Sequence, residues 1–249
     1  MDSIDSFLLE TKHCNFNNPT IKKLAQDITR DCVSDQEKAV RLFYWVRDNI
    51  QYRFGPWNKI ASDILRDRFG MCTNKAVLLT SLLRAEGIHS GFGILKVKGQ
   101  EYFGPIAPIV LSGRVSKLSV HFYSYVFIEN KWIKIDPSVD IDLARKTNYF
   151  NPTTQLTEWF GSEDATENLD PSHIISDEGP LANIESYLRK KPRVISRINF
   201  FVGNLYLDFL RSNKIKIVDP KQLGHLFESW LKRNNFFYYF LFKIYINIK

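Results

Sequence analysis

Apolar positions recur at helical spacing through the first third of the chain. Ile21, Leu24 and Ile28 fall on one side of a helix predicted over 19–32, with Thr20 as its cap. Ser34, Asp35, Gln36 and Glu37 then spell a capping box, in which the serine oxygen and the glutamate side chain each satisfy an orphan amide of the first turn. Ala39, Leu42, Phe43, Val46 and Ile50 follow on one face. Positions 51–58 read as an irregular connection and 62–68 as a short helix. Beyond Gly70 the pattern turns almost continuously apolar, from Val77 through Leu78, Leu79, Leu82 and Leu83 to a stop at Gly87. Such a run predicts a buried helix whose first turn carries Cys72, packed against the helix that starts after Ser34.

After Gly87 the period shortens to two. Positions 91–97 are rich in strand formers. Positions 119–128 and 131–136 alternate on either side of Glu129-Asn130, which predicts a two-residue hairpin beside the first strand. If Ile128 pairs with Lys131, Asp136 falls opposite Tyr123, two residues from His121 and on the same face, so imidazole and carboxylate lie within reach of each other. A three-residue turn would put them on opposite faces. Asn130 suits the left-handed backbone of such a turn and Glu129 suits it less. Between the strands, 99–108 holds two glycines and two prolines and reads as a loop. Its Glu101 and Tyr102 are candidates for a substrate wall. Positions 154–176 are polar, with Glu163, Asp164, Glu167 and Asp170 expected on a solvated face. Positions 185–209 predict two helices interrupted at Pro192.

The last stretch, 236–248, is almost wholly aromatic and aliphatic. It is too short to span a bilayer, which takes about 20 residues. Core packing, a partner surface and an interfacial membrane anchor all remain open for it.

Composition narrows the classes. An apolar share of 44% over 249 residues is enough for a real core, as one large domain or a core with an appended cap. The formal charge of +7 is scattered, with no stripe or motif for nucleic acid, which is disfavoured as a partner. Residues 1–10 lack the charged-then-apolar pattern of a secretory signal, and a cytoplasmic location is expected. Cys14, Cys32 and Cys72 are an odd number without close spacing, so reduced thiols are expected rather than a disulfide framework or zinc site; no metal or cofactor is implied. Asp140-Ile141-Asp142 lacks the turn glycine and final acid of a calcium loop. His89 and His173 read as surface or packing histidines.

Cys72 carries the chemistry. Unpaired amides and the positive end of a helix dipole favour thiolate over thiol. His121, 49 positions on, supplies a base, and Asp136, 15 further on, supports it. Two readings stay open for Trp57, 15 residues before Cys72: a packing side chain, or an indole N–H that helps the Cys72 amide hold an oxyanion. Asn74 and Lys75 are either a local clasp or substrate contacts.

Gly70-Met71-Cys72 opening a helix, His121 on a strand, and Trp132-Ile133-Lys134-Ile135-Asp136-Pro137 closing the hairpin resemble the transglutaminase-like superfamily of papain-type cysteine enzymes, over about 35–138. The resemblance implies an α+β papain/transglutaminase-like core, its Cys-headed helix packed on an antiparallel sheet, with a mainly helical C-terminal extension. The division expected is 1–150 for the catalytic core and 151–249 for a cap. By the same resemblance Cys72 is the nucleophile, His121 the general base and Asp136 the residue that orients it. The substrate expected is a peptide, amide or acyl-thioester carbonyl, with water, an amine acceptor or a carrier protein resolving the acyl-enzyme. The motif around Cys72 departs from arylamine acetyltransferases, and the deglycosylases' zinc-type cysteine pairs are missing. Two rivals stand beside this reading: a non-catalytic binding module on the same fold, and a membrane-surface protein led by the aromatic tail.

Overall fold

The computed structural model describes residues 3–103, 107–146, 157–166, 170–189, 194–213, 215 and 219–247. A short 3-10 turn, Ile4–Leu8, precedes the first helix, α1 (Pro19–Thr29). Asn18 and not Thr20 caps α1: its carboxamide oxygen accepts the Thr20 amide at 2.9 Å, two positions earlier than expected. Helix α2 (Asp35–Asn49) starts at Ser34, whose hydroxyl accepts the Glu37 amide at 3.1 Å. The return arm of the box is shifted by one, because Glu37 takes the amide of Val33 at 2.8 Å. The connection that follows contains strand β1 (Gln51–Tyr52). Helix α3 (Ala61–Asp67) ends at Arg68 in the left-handed region, and strand β2 (Phe69–Gly70) pairs in parallel with β1. Helix α4 (Cys72–Ala85) is buried at every residue from Cys72 to Arg84. Gly87, at φ +75°, turns the chain away from it.

α1, α2 and α3 surround α4. Ile21, Leu42, Phe43, Val46, Ile64, Leu78 and Leu82 are all wholly buried in the shared core. Each such side chain stabilises the fold by roughly 1.5–3 kcal/mol relative to exposure. The position of Cys72 is therefore set by packing of the whole helix and not by local propensity.

Strand β3 (Ser90–Lys98) runs into a short helix α5 (Gly99–Phe103), and α6 (Ile109–Ser112) leads to β4 (Leu118–Ile128) and β5 (Lys131–Ile135). The loop expected over 99–108 is thus helical at its start; 104–106 lie outside the described residues. After α7 (Ile141–Lys146) comes the polar segment, where Glu163, Asp164 and Asp170 are exposed as expected and Glu167 is outside the described residues. The segment also buries Trp159 and supplies a strand, β6 (Ile174–Leu181). The four long strands form one antiparallel sheet in the order β5-β4-β3-β6. Its inner face, through Ile94, Ser124, Val126, Ile133 and Ile135, lies on α4, and the Ser124 and Thr80 hydroxyls meet there at 3.2 Å. The fold is α+β, an antiparallel sheet on a cysteine-headed helix, with the helical extension described next.

Helices α8 (Glu185–Leu188), α9 (Val194–Ser212), α10 (Pro220–Asn234) and α11 (Phe236–Asn247) complete the chain. Pro192, where a break is expected, lies outside the described residues. Leu207, Leu210, Phe227, Leu231 and Phe242 form a second apolar cluster that Tyr52 and Cys72 also join. Polar contacts fasten α9 to the segment after β1. The Arg53 guanidinium pairs with both oxygens of Asp208 at 2.8 and 2.9 Å, and Asn204 takes the Phe54 amide at 2.8 Å while donating to its carbonyl at 2.9 Å. The aromatic tail is helix α11. It buries Phe242 and Tyr245 and leaves Phe236, Phe237 and Phe240 more than half exposed. Among the described residues no helix is long and apolar enough to cross a membrane.

Candidate active site

The approach to Cys72 is sterically tight. A Cβ on Gly70 would sit 2.5 Å from the Cβ of Asn74, so only glycine lets β2 turn directly into α4. Asn74 then locks the turn. Its Oδ1 accepts the Met71 amide at 3.1 Å, and its Nδ2 donates to the carbonyls of Pro56 and Trp57, both at 3.2 Å. Cys72 is the first helical residue, 5% exposed, and its sulfur faces a cavity at the positive end of α4.

The hairpin has the expected register. Ile128 pairs with Lys131, and Glu129 and Asn130 adopt φ of 49° and 61°, the two left-handed positions of a type I′ turn. The ladder stops at Ser124–Ile135, one pair short of Tyr123 and Asp136. Across that open end His121 Nε2 meets Asp136 Oδ2 at 2.7 Å, and the Cys72 sulfur stands near enough to raise the ring's proton affinity. Asp136 is 2% exposed, and its other oxygen accepts both the backbone N–H and the hydroxyl of Ser138.

Burial alone would disfavour the imidazolium of His121. The Asp136 carboxylate and the Cys72 sulfur outweigh it by charge and hydrogen bonding, and the ring is held well above its ordinary value. Asp136 is likewise pushed up by burial but pulled down harder by His121 and Ser138, so it is held below the usual carboxylate range. The arrangement favours a charged ring braced by an ionised carboxylate.

The cavity over Cys72 measures about 530 Å³. Cys72, His121, Trp57 and Tyr102 line it, together with Tyr52, Phe54, Tyr187 and Phe200. Glu101 is exposed and does not line it. Neither do Asn74 and Lys75, which are 1% and 0% exposed, so the geometry favours the clasp over the substrate contact for both. Lys75 Nζ donates to the carbonyls of Arg47 and Ile50 at 3.1 and 2.8 Å, fastening the end of α2 to α4. Desolvation brings its amine down to about 7 despite Asp140, Asp136 and Asp48 nearby. Among the described residues no group of three His, Cys, Asp or Glu side chains is placed to hold a metal ion.

Several residues of the site escaped the sequence reading. Ser138 had a readable signal: an Asp two residues before a Ser, across a proline, is a pattern in which the carboxylate caps the following amide. Phe200 and Tyr187 had none, since nothing local ties α8 and α9 to a cysteine more than a hundred residues earlier.

Residues 22–137 match the family model of the transglutaminase-like superfamily, so the resemblance is borne out over a stretch that contains Cys72, His121 and Asp136. That stretch is a little under half of the chain. Among solved structures the chain is similar to a candidate cysteine protease from Cytophaga hutchinsonii, with 22% identity and a TM-score of 0.44 over 55% of this chain and 43% of that one. A candidate protease from Parabacteroides distasonis gives 16% identity and a TM-score of 0.37 over 59% of this chain and 27% of that one. The chain thus spans less than half the length of either. No curated protein matches it.

Proposed function

We propose that the chain is a cysteine enzyme that acts on an amide or thioester carbonyl through an acyl-enzyme on Cys72. The observation that carries this reading is the His121 ring, bonded to Asp136 at 2.7 Å and lining one cavity together with the Cys72 sulfur. The thiolate attacks the carbonyl carbon. The oxyanion forms beside the unpaired amides of the first turn of α4, where Trp57 also lines the wall. Since Asp136 occupies Nε2, Nδ1 is the nitrogen that carries a proton to the leaving group. Water then completes hydrolysis, as in a peptidase, or an amine completes transfer; the acceptor is a small amine or one borne by a carrier protein. Residues 1–150 serve as the catalytic core and 151–249 as the cap over the cavity, except that β6 and Trp159 belong to the core.

Iodoacetamide labelling of the native protein tests this. Cys14 is wholly buried, and burial raises its thiol above the ordinary value; burial raises Cys32 as well. Cys72 should react at least tenfold faster than either near neutral pH, and Cys72→Ala should abolish that fast phase. Equal rates at the three cysteines reject the reading.

One observation favours a second reading, a membrane-surface role: α11 leaves Phe236, Phe237, Phe240 and Ile244 on the surface. Co-sedimentation with anionic vesicles that is unaffected by F237K and F240K together removes it.

A further inference from the structure

The cavity over Cys72 has a chemical character that the catalytic reading leaves unused. Among the described residues no Asp, Glu, Lys or Arg lines it, and beyond Cys72 and His121 its wall is aromatic, aliphatic or hydroxylic. An ionised substrate group placed there would meet no charge but that of the His121 ring, which Asp136 already pairs, and would lose its hydration at a cost above what its contacts return. At about 530 Å³ it falls within the roughly 300–1,000 Å³ of sites that enclose a whole small ligand. Ring contacts order part of the wall. Trp57 meets Phe200 edge to face at 6.3 Å, Tyr52 meets Phe54 at 5.7 Å, and the Phe54 ring lies so close to α9 that a Cβ on Gly203 would stand 2.7 Å from it.

Behind this wall is a second apolar cavity of about 220 Å³, lined by Ala107, Leu111, Val115, Tyr206 and Tyr245. Phe54, Met71 and Phe200 line both spaces, so the two abut across three side chains. The one charged group lining the second cavity among the described residues is Arg114, whose guanidinium lies 4.3 Å from the Tyr245 ring centre and donates to the Tyr245 carbonyl at 2.9 Å.

We propose that the group acylated onto Cys72 is bulky and apolar, and that long examples extend from the first cavity past Phe54, Met71 and Phe200 into the second. The inference rests on the acyl-enzyme reading and names its substrate class. In the step concerned, a carbon–sulfur bond forms between the acyl carbon and Cys72 Sγ. The bond from that carbon to the leaving thiolate breaks, and the thiolate departs with the proton from His121. An aliphatic acyl chain and a peptide ending in an aromatic residue share this chemistry.

The test uses N-acetylcysteamine thioesters of acetyl, butanoyl, octanoyl, dodecanoyl, succinyl and N-acetylphenylalanyl groups, with Cys72 acylation followed by intact-protein mass. A fully buried methylene is worth about fourfold in rate constant, and octanoyl has four more than butanoyl, so burial of even half of them gives more than tenfold. Octanoyl should therefore react at least tenfold faster than butanoyl, and acetyl and succinyl should be slowest. Preference for N-acetylphenylalanyl over octanoyl assigns a peptide source, and the reverse an aliphatic one. In Val115→Trp, which narrows the second cavity, the dodecanoyl-to-butanoyl ratio should fall at least tenfold; an unchanged ratio overturns the extension into that cavity. Acetyl or succinyl transfer as fast as octanoyl overturns the proposal while leaving the Cys72 acyl-enzyme standing. If no thioester gives an adduct and the three cysteines alkylate equally, the catalytic reading falls and takes this one with it.

Discussion

His121 Nε2 and Asp136 Oδ2 lie 2.7 Å apart just beyond the last paired rung of the β4–β5 hairpin, so strand pairing aims both side chains. The contact decides which ring nitrogen remains for chemistry and raises the ring's proton affinity. In the acyl-enzyme cycle the imidazolium must be charged to donate its proton, and activity should fall at high pH as the ring deprotonates.

Asp136→Asn removes the carboxylate that holds the ring above its ordinary value. The high-pH limb of kcat/KM should move toward neutrality, and the rate at its maximum should drop by about 10²–10⁴. The sign for stability is the same. A ring whose folded pKa is raised stabilises the fold below its unfolded value near 6.5, and this contribution is lost as pH rises through the folded value. NMR titration of His121 in wild type and variant measures both; an unmoved ring titration defeats the assignment of Asp136.

Glu129 gives a stability prediction independent of catalysis. It holds φ of 49° in the first central position of the type I′ turn, where a side chain without a short polar group is strained. Glu129→Asn should raise stability by about 0.5–1 kcal/mol, read from the urea midpoint, with no change in Cys72 labelling. A lower midpoint would mean that the turn is not what sets the register.

The parts of the site that sequence made legible share one property: their determinants are local. Gly70 before a long apolar run marks where α4 starts, and two residues between alternating strands set the register that joins His121 to Asp136. Strand β6 went unread because it lies at an edge of the sheet, mixes exposed Ile175 with half-buried Ser176 and Glu178 so that no polar alternation marks its faces, and carries Gly179-Pro180 near its end. Asn74 and Lys75 were left between two roles because polarity suggests exposure; but α4 is buried all round, so a polar residue there must find partners inside the protein. The walls from α8 and α9 reach Cys72 only through tertiary packing, which no spacing rule encodes.

Arg211 is the deepest fastening of α9. Its Nη2 donates to Asp140 Oδ2 at 2.6 Å and to the Tyr52 carbonyl at 2.8 Å, and the same Asp140 oxygen accepts the Tyr52 amide at 2.7 Å. Tyr52 in turn lines the cavity. Arg211→Met strands a buried carboxylate and should cost about 3–5 kcal/mol. At temperatures where the variant is still folded, kcat/KM should fall through KM as the Tyr52 wall loosens. Urea unfolding and steady-state kinetics check the two halves, and a loss under about 1 kcal/mol would show that the cavity wall does not depend on this pair.

Lys75 leads to a pH dependence opposite in sign to that of His121. Its two backbone acceptors, Arg47 and Ile50, suit the two N–H donors of a neutral amine, and desolvation lowers it from 10.5 to about 7. A base whose folded pKa is depressed binds fewer protons folded than unfolded between those values, so stability rises with pH across that window. Below about pH 7 the buried charge is carried in full and the fold is weakest in this respect. Lys75→Met removes the titration while keeping most of the volume. It also leaves two carbonyls unpaired, so it should be less stable than wild type at pH 9. The gap between wild type and variant should then narrow on going from pH 9 to pH 7, by on the order of 2 kcal/mol, since one proton linked over one pH unit is worth at most about 1.4 kcal/mol. Comparing the two proteins cancels the contributions of the groups common to both. Urea unfolding at pH 7, 8 and 9 checks it, and a pH-independent gap would mean that Lys75 keeps its proton in the fold and that Asp140 and Asp136 hold it there.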